Sequence, residues 1–267
     1  MAGNISADYL FHFTKRFDNL VSILKEGFTP NYCLENWRTL DQNLLHIGIP
    51  MVCFCDIPEL FIEPHKNKYG PYGIALKKSW GIEKRITPIT YVHKDSVNYN
   101  SLQTIWKIYL ENEEAIKRND FIADVEIIGM KGKQYKYGVA ERFQEAFHSL
   151  YCLFKPYIGD DFSAKDVCFY DEREWRFYPH VTPAYLSEED YYKNDEGKYV
   201  LDPIQLESYV NNLKKHYSLK FPLSVIKMVY VQTNEEKEKL QNEFGNSLLI
   251  KVQKDEESEV KKNIVEN

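Results

Sequence analysis

The sequence lacks several features that would fix a function at once. No Gly-x-Gly-x-x-Gly opens a helix, and there is no Gly-x-x-x-x-Gly-Lys phosphate loop and no Gly-x-Ser-x-Gly elbow. The usual dinucleotide-binding, nucleotide-hydrolysing and serine-hydrolase readings therefore have no signature to stand on. No run of apolar residues approaches the 18 or so that a membrane-spanning helix needs. The opening residues, Met1 to Tyr9, have neither a basic n-region nor an apolar h-region, so no secretory signal is read and the expected location is the cytoplasm. Cysteines are few: Cys33, Cys53, Cys55, Cys152 and Cys168, an odd number without framework spacing, which argues against a disulfide scaffold. An excess of positive charge is also missing. Against 34 basic residues stand 40 acidic ones, a net charge of −6. That sign does not suit binding driven by a general attraction to phosphate, and nucleic acid is not indicated as a partner.

What the 267 residues do hold is aromatic and apolar material: 20 Tyr, 15 Phe and 4 Trp, within 43% hydrophobic residues. Such a chain can bury a substantial core. No internal repeat and no Pro- or Gly/Ser-rich linker divides it, so residues 1–253 read as one α+β domain and the charged residues 254–267 as a tail expected to fray.

Local pattern predicts strands at 9–14, 50–57, 72–77, 89–92, 174–178, 224–232 and 248–252. Helices are expected at 18–26, where Leu20, Ile23 and Leu24 share a face before Gly27, and at 234–244. Residues 78–81 read as a turn. From about 95 to 165 the spacing of Leu102, Ile105, Ile108 and Tyr109, and later of Phe143, Phe147, Leu150, Tyr151 and Phe154, predicts a helical insertion. Its stretch 140–155 reads as helix, and the piece near 129–138 as less regular.

Four segments could carry chemistry. In Phe11-His12-Phe13-Thr14 the histidine points to the face opposite its aromatic neighbours, towards either a cleft or a satisfied polar contact at a sheet edge. In Pro50 to Pro58, Cys53 and Cys55 point the same way. A zinc site would need two more ligands, with His46 and His65 the nearest histidines in sequence, and a pair of core thiols is the simpler account. In His65 to Gly73, Tyr69 and Tyr72 each precede a glycine and could offer a ring to a flat group, or the segment is a loop delivering the chain into a strand. In Asp171 to Phe177, alternation on a strand would put Glu172, Glu174 and Arg176 on one face. That arrangement is either an ion-paired sheet surface or a carboxylate pair. In the second case one carboxylate stabilises an oxocarbenium-like transition state and the other orients a nucleophile.

Taken as an ordered series, the Phe-His-Phe-Thr strand, the helix ending Ile23 to Phe28, Tyr32-Cys33-x-Glu35, Pro50 to Pro58, Tyr69 to Ile74 and Glu172-Arg-Glu-Trp-Arg176 resemble the bacterial AbiGi family, described as the antitoxin half of a phage-resistance pair. A weaker resemblance is to the His-Tyr-Glu class of ADP-ribosyltransferases. This second resemblance implies a split antiparallel sheet core and NAD as substrate. In it His12 would hold the adenosine ribose and Tyr69 or Tyr72 would stack on nicotinamide. Glu174 would bind the nicotinamide ribose and stabilise the oxocarbenium ion, and Glu172 would orient the acceptor. Thr14 and Arg176 would support the ribose or pyrophosphate. The resemblances lead to the expectation of a phage-defence ADP-ribosyltransferase without a metal, whose acceptor (protein, DNA, RNA or small molecule) and phage-derived trigger stay open. The alternative is a non-catalytic antitoxin that binds a partner toxin. Their discriminators are turnover of NAD and capture of a partner.

Overall fold

The computed structural model describes residues 7–38, 44–111, 124–128, 134–138, 146, 149–160, 165–179, 186, 190–194, 199–201 and 203–253. In chain order the elements are β1 (Tyr9–Thr14), α1 (Phe17–Glu26), β2 (Asn31–Arg38), β3 (Leu44–Cys55), α2 (Glu63–Tyr69), β4 (Tyr72–Lys77), α3 (Lys78–Glu83), β5 (Thr87–Pro88), β6 (Thr90–Val92) and α4 (Val97–Glu111). There follow β7 (Asp124–Ile128), β8 (Gln134–Gly138), β9 (Phe154–Pro156), β10 (Ile158–Gly159), β11 (Val167–Cys168), β12 (Glu174–Phe177), β13 (Tyr191–Lys193) and β14 (Tyr199–Leu201). The chain then forms α5 (Pro203–Tyr217), β15 (Ile226–Val231), α6 (Asn234–Phe244) and β16 (Ile250–Val252).

The main sheet runs β16-β15-β4-β1-β3-β12-β5, with β2 paired to β3. Its strands are antiparallel except for the parallel β15–β16 pair. The class is α+β with a mixed sheet. β1 pairs with β4 over all six of its residues. With β3 it shares only Phe11↔Cys55, after which the two strands part. The imidazole of His12 bridges this opening, its Nδ1 donating to the Cys53 carbonyl at 2.8 Å in place of a ladder bond.

Antiparallel partners share a face and sequence neighbours alternate, so the register sorts the side chains. One face carries Phe11, Phe13, Cys55, Ala75, Met228 and Tyr230, packed with Ile57 and Ile62. The other carries Leu10, Phe54, Ile74, Leu76 and Val229, packed with Leu20 and Leu24 of α1, Trp80 of α3 and Leu240 of α6. Two short helices are thereby explained by single anchors, α3 by buried Trp80 and α6 by Leu240 behind a Thr233–Glu236 capping box. A third cluster packs Ile47, Ile49 and Met51 of β3 against Tyr99, Trp106 and Tyr109 of α4 and against Tyr151.

Several boundaries match expectation: 9–14, 72–77 and 234–244 are as read, and 17–26 and 226–231 differ by a residue or two. Others do not. Residues 78–81 belong to helix α3, not to a turn. The insertion is mixed, not helical: within it α4 is followed by the β7–β8 hairpin and by β9 and β10. The expected helix at 140–155 ends as strand, because Phe154–Pro156 pairs in parallel with Thr90–Val92; residues 139–145 lie outside the described residues, as does the tail 254–267. Strand β2 and helices α2 and α5 are not among the expected elements, although in α5 Tyr209, Val210, Leu213 and Tyr217 fall at helical spacing.

Gly70, between α2 and β4, adopts φ 124°, and a Cβ there would sit 2.3 Å from the Thr14 carbonyl oxygen. Gly70→Ala is therefore expected to destabilise the fold by about 2 kcal/mol or more, measured as a lower thermal midpoint.

Candidate functional site

The charged centre of the molecule is assembled from four parts of the chain. β12 supplies Glu174 and Arg176 on the sheet face shared with Cys53 and Cys55. The strand starts only at Glu174. Residues 169–172 form a 3-10 turn and Arg173 has φ 42°, so Glu172 approaches from the turn and not from the strand face. β9 contributes Lys155, the C-terminal end of α2 contributes Lys68 and Tyr69, and β2 contributes Glu35.

Arg176 has no exposed surface. Its Nε donates to Glu174 Oε1 at 2.6 Å, one terminal nitrogen donates to the Cys152 carbonyl at 2.8 Å, and the other pairs with Glu35 and reaches Glu174 Oε2 at 3.2 Å. Lys155 lies 2.8 Å from Glu172 and 3.1 Å from Glu174, with Glu35 at 3.8 Å. Glu172 also accepts from Lys68 and from the Tyr69 hydroxyl, each at 2.7 Å. Three carboxylates thus face three cations in a largely buried setting. The backbone N–H of Glu174 donates to the Tyr91 hydroxyl at 2.8 Å.

The electrostatics follow from this geometry. Burial by itself favours the neutral acid of Glu174, but the Arg176 guanidinium and the Lys155 ammonium outweigh it and hold the carboxyl well below the usual range. Glu172 is depressed in the same manner: burial opposes the charge, and Lys155, Lys68 and Tyr69 reverse the balance. Burial disfavours the Lys155 ammonium, yet Glu174, Glu35 and Glu172 raise its pKa well above the ordinary value. Tyr69, desolvated and bonded to Glu172, is pushed up strongly and stays a phenol that donates.

Of the residues singled out in the sequence, the structure brings Tyr69, Glu172, Glu174 and Arg176 together. It does not bring His12, Thr14 or Tyr72 to them. His12 pairs in register with Ile74 and Thr14 with Tyr72, on the opposite face of the sheet. The His12 ring packs against Phe28 and Phe54, at 5.0 and 5.8 Å between centroids, and its burial lowers its pKa although the Cys53 carbonyl opposes that shift. Thr14 Oγ1 accepts from Asn19 at 3.1 Å. The Tyr72 hydroxyl lies 2.7 Å from Gln232 and 2.8 Å from Glu236, and burial followed by the Glu236 carboxylate pushes it up to about 12. The groove between α1 and α6, lined by Phe17, Asp18, Val21, Leu240 and Glu243, lies apart from the charged centre. Among the described residues no three His, Cys, Asp or Glu side chains converge as a metal-holding group, and Cys53 and Cys55 are free thiols.

The reading of the sequence missed Lys155 and Lys68 and gave Glu35 no role. Lys155 sits in a stretch whose apolar spacing reads as helix. Lys68 sits in a segment whose two Tyr-Gly pairs read as a loop. Nothing local marks either lysine as a partner of residues about a hundred positions away or across an insertion.

A family model described as "Putative abortive phage resistance protein AbiGi, antitoxin" matches residues 26–232. The chain belongs to the AbiGi family. An abortive phage resistance protein AbiGi from Lactococcus lactis subsp. cremoris is 28% identical over 233 residues, covering 80% of this chain and 86% of the relative. No solved structure matches. The family match takes in Glu35, Tyr69, Lys155, Glu172, Glu174 and Arg176, and begins downstream of His12 and Thr14. Among the described residues of this AbiGi protein no helix is long and apolar enough to cross a membrane.

Removing Lys155 from among its three carboxylates leaves buried charge uncompensated. Lys155→Met is expected to destabilise the protein by about 3–5 kcal/mol at neutral pH. Glu172 and Glu174 have folded pKa values below their unfolded ones, so their contribution is present above roughly pH 4.3 and is lost as pH falls through the folded values. In Lys155→Met those folded values rise, and the acid limb of a thermal-midpoint-against-pH curve is expected to move to higher pH.

Proposed function

We propose that this AbiGi protein serves phage defence as an antitoxin that neutralises a partner toxin by binding it, and that its charged centre holds the fold together and performs no chemistry. The observation that carries this reading is the commitment of both candidate carboxylates. Glu174 is bonded to Arg176 and Lys155, and Glu172 to Lys155, Lys68 and Tyr69, all within the chain. A catalytic carboxylate at a sugar must instead face the developing cation with its charge available. The lowered pKa values point the same way, since a general base or acid at neutral pH is tuned upward towards 7. The family description as an antitoxin adds support.

A second reading keeps the transferase. The parting of β1 from β3 beside His12, and the gathering of Tyr69, Glu172 and Glu174 near the other side of β3, favour an ADP-ribosyltransferase-like split sheet with NAD as substrate. In that reading a bound nucleotide would have to displace Lys155 or Arg176 from Glu174.

The two are separated by one pair of measurements. Purified protein with labelled NAD and lysate, with or without phage infection, is expected to release no nicotinamide and transfer no label. Glu174→Gln, assayed below its melting temperature, is expected to protect cells from the partner toxin as the wild type does. Label transfer by the wild type that is lost in Glu174→Gln would overturn the binding reading in favour of the enzyme.

A further inference from the structure

Two thiols from different strands meet beside the charged centre. In the β2–β3 ladder Cys33 stands opposite Ile49, not opposite Cys53, so strand pairing alone does not join them. The side chains do. Arg176 of β12 is in register with Cys53 of β3. Its guanidinium pairs with Glu35, which lies two residues beyond Cys33 and so on the same face of β2. The approach that brings Glu35 to Arg176 also brings Cys33 to Cys53, and the Cys53 thiol donates to the Cys33 sulfur. Both side chains pack against the cluster of Ile47, Ile49, Met51 and Trp106. Both are free thiols and only partly buried.

The surroundings sort the five cysteines. The hydrogen bond from Cys53 favours the Cys33 thiolate, Arg176 assists, and together they lower the Cys33 pKa against the opposition of burial and Glu35. Cys53 is shifted upward by the same bond and by burial, and keeps its proton. Cys55 is buried, donates to the Phe11 carbonyl at 3.6 Å, and is raised by burial. It also lies two residues from Cys53 on one strand, where Cβ atoms stand about 6–7 Å apart, beyond the reach of a disulfide. Cys152 is buried and pushed up to about 12, chiefly by burial. Cys168, on β11, bonds the Tyr157 hydroxyl.

We propose that Cys33 and Cys53 form a reversible oxidation site, at which a hydroperoxide converts the two thiols to an intrachain disulfide that clasps β2 to β3 beside Arg176. The Cys33 sulfur attacks the peroxide. An S–O bond forms, the O–O bond breaks, and the leaving hydroxide takes up the proton shed by Cys33 as water. The Cys53 sulfur then attacks the Cys33 sulfenic acid. The S–S bond forms, the S–O bond breaks, and hydroxide leaves with the Cys53 proton as a second water. Each thiol loses one electron and the peroxide gains two. A small dithiol reverses the bridge by exchange. Glu35, Glu174 and Arg176 keep their ion pairs throughout, and the bridge adds a covalent tie beside the one Glu35 makes.

The test uses the full chain, reduced and then exposed to hydrogen peroxide. Thiols counted by alkylation in denaturant are expected to fall from five to three and to return to five after dithiothreitol. Tryptic digestion without reduction should yield peptide 26–38 joined to peptide 39–66, with fragmentation placing the bond at Cys53 rather than Cys55. Cys55→Ala should still form the bridge, and Cys33→Ala and Cys53→Ala should not. The oxidised chain should melt at or above the temperature of the reduced one, since the bridge closes a loop already closed in the fold. A wild type that keeps five thiols overturns the inference. So does one that stops at a sulfenic or sulfinic acid, that pairs Cys33 with another cysteine or another chain, or whose bridge lowers the melting temperature. The wild-type peptide map decides this whether or not every variant folds.

Discussion

Arg176 is the residue on which the rest of the structure depends. A guanidinium cannot shed its proton, so burying it completely requires that every side be answered by an acceptor. Those acceptors come from β12 itself (Glu174), from the β2 hairpin (Glu35) and from the backbone at Cys152. Satisfying one side chain therefore ties β12 of the main sheet to β2 and to the inserted segment. Lys155 extends the tie to Glu172, and Lys68 and Tyr69 extend it to α2. Breaking any one link leaves the others buried and unbalanced, so these elements stand or fall together.

That dependence also bears on function. Carboxylates held by fixed cations in a low-dielectric setting keep their charge and lose their reach. They specify which pieces of chain meet. Tyr91, whose ring centre lies 5.4 Å from that of the half-exposed Tyr170, accepts the Glu174 N–H and so joins the surface to the same centre.

How much of this is legible in the sequence can be judged element by element. β1, β4 and α6 show in their own residues: an aromatic run that alternates over Phe11–Thr14, a buried run in Tyr72–Lys77, and a Thr-x-x-Glu cap before Asn234–Phe244. β2 does not, because half of Asn31–Arg38 is polar without strict alternation, and its eight residues are drawn into a strand by pairing along β3. Phe154–Pro156 reads as the end of a helix until the parallel pairing with β6 draws it straight. At the charged centre, Glu172, Glu174 and Arg176 stood out by type and spacing. Placing Glu172 with the strand was an error of local geometry, since the chain turns through Arg173 in a left-handed conformation before β12 begins.

By itself, the sequence determined the short-range part of this protein. It set the α+β character, the apolar faces that drive the elements together, the Glu-x-Glu-x-Arg unit, and the ordered series of motifs by which the chain is one of the AbiGi proteins. Tertiary structure alone decided where those residues meet. Period-2 alternation says that His12 faces away from Phe11, but not which face of the sheet Glu174 shares; that is fixed by the register Phe11↔Cys55↔Glu174 between strands distant in sequence. Likewise a carboxylate is a base or a strut according to the charges within about 4 Å of it, and here those charges, Lys155 and Lys68, come from segments whose own pattern gives no hint of the meeting.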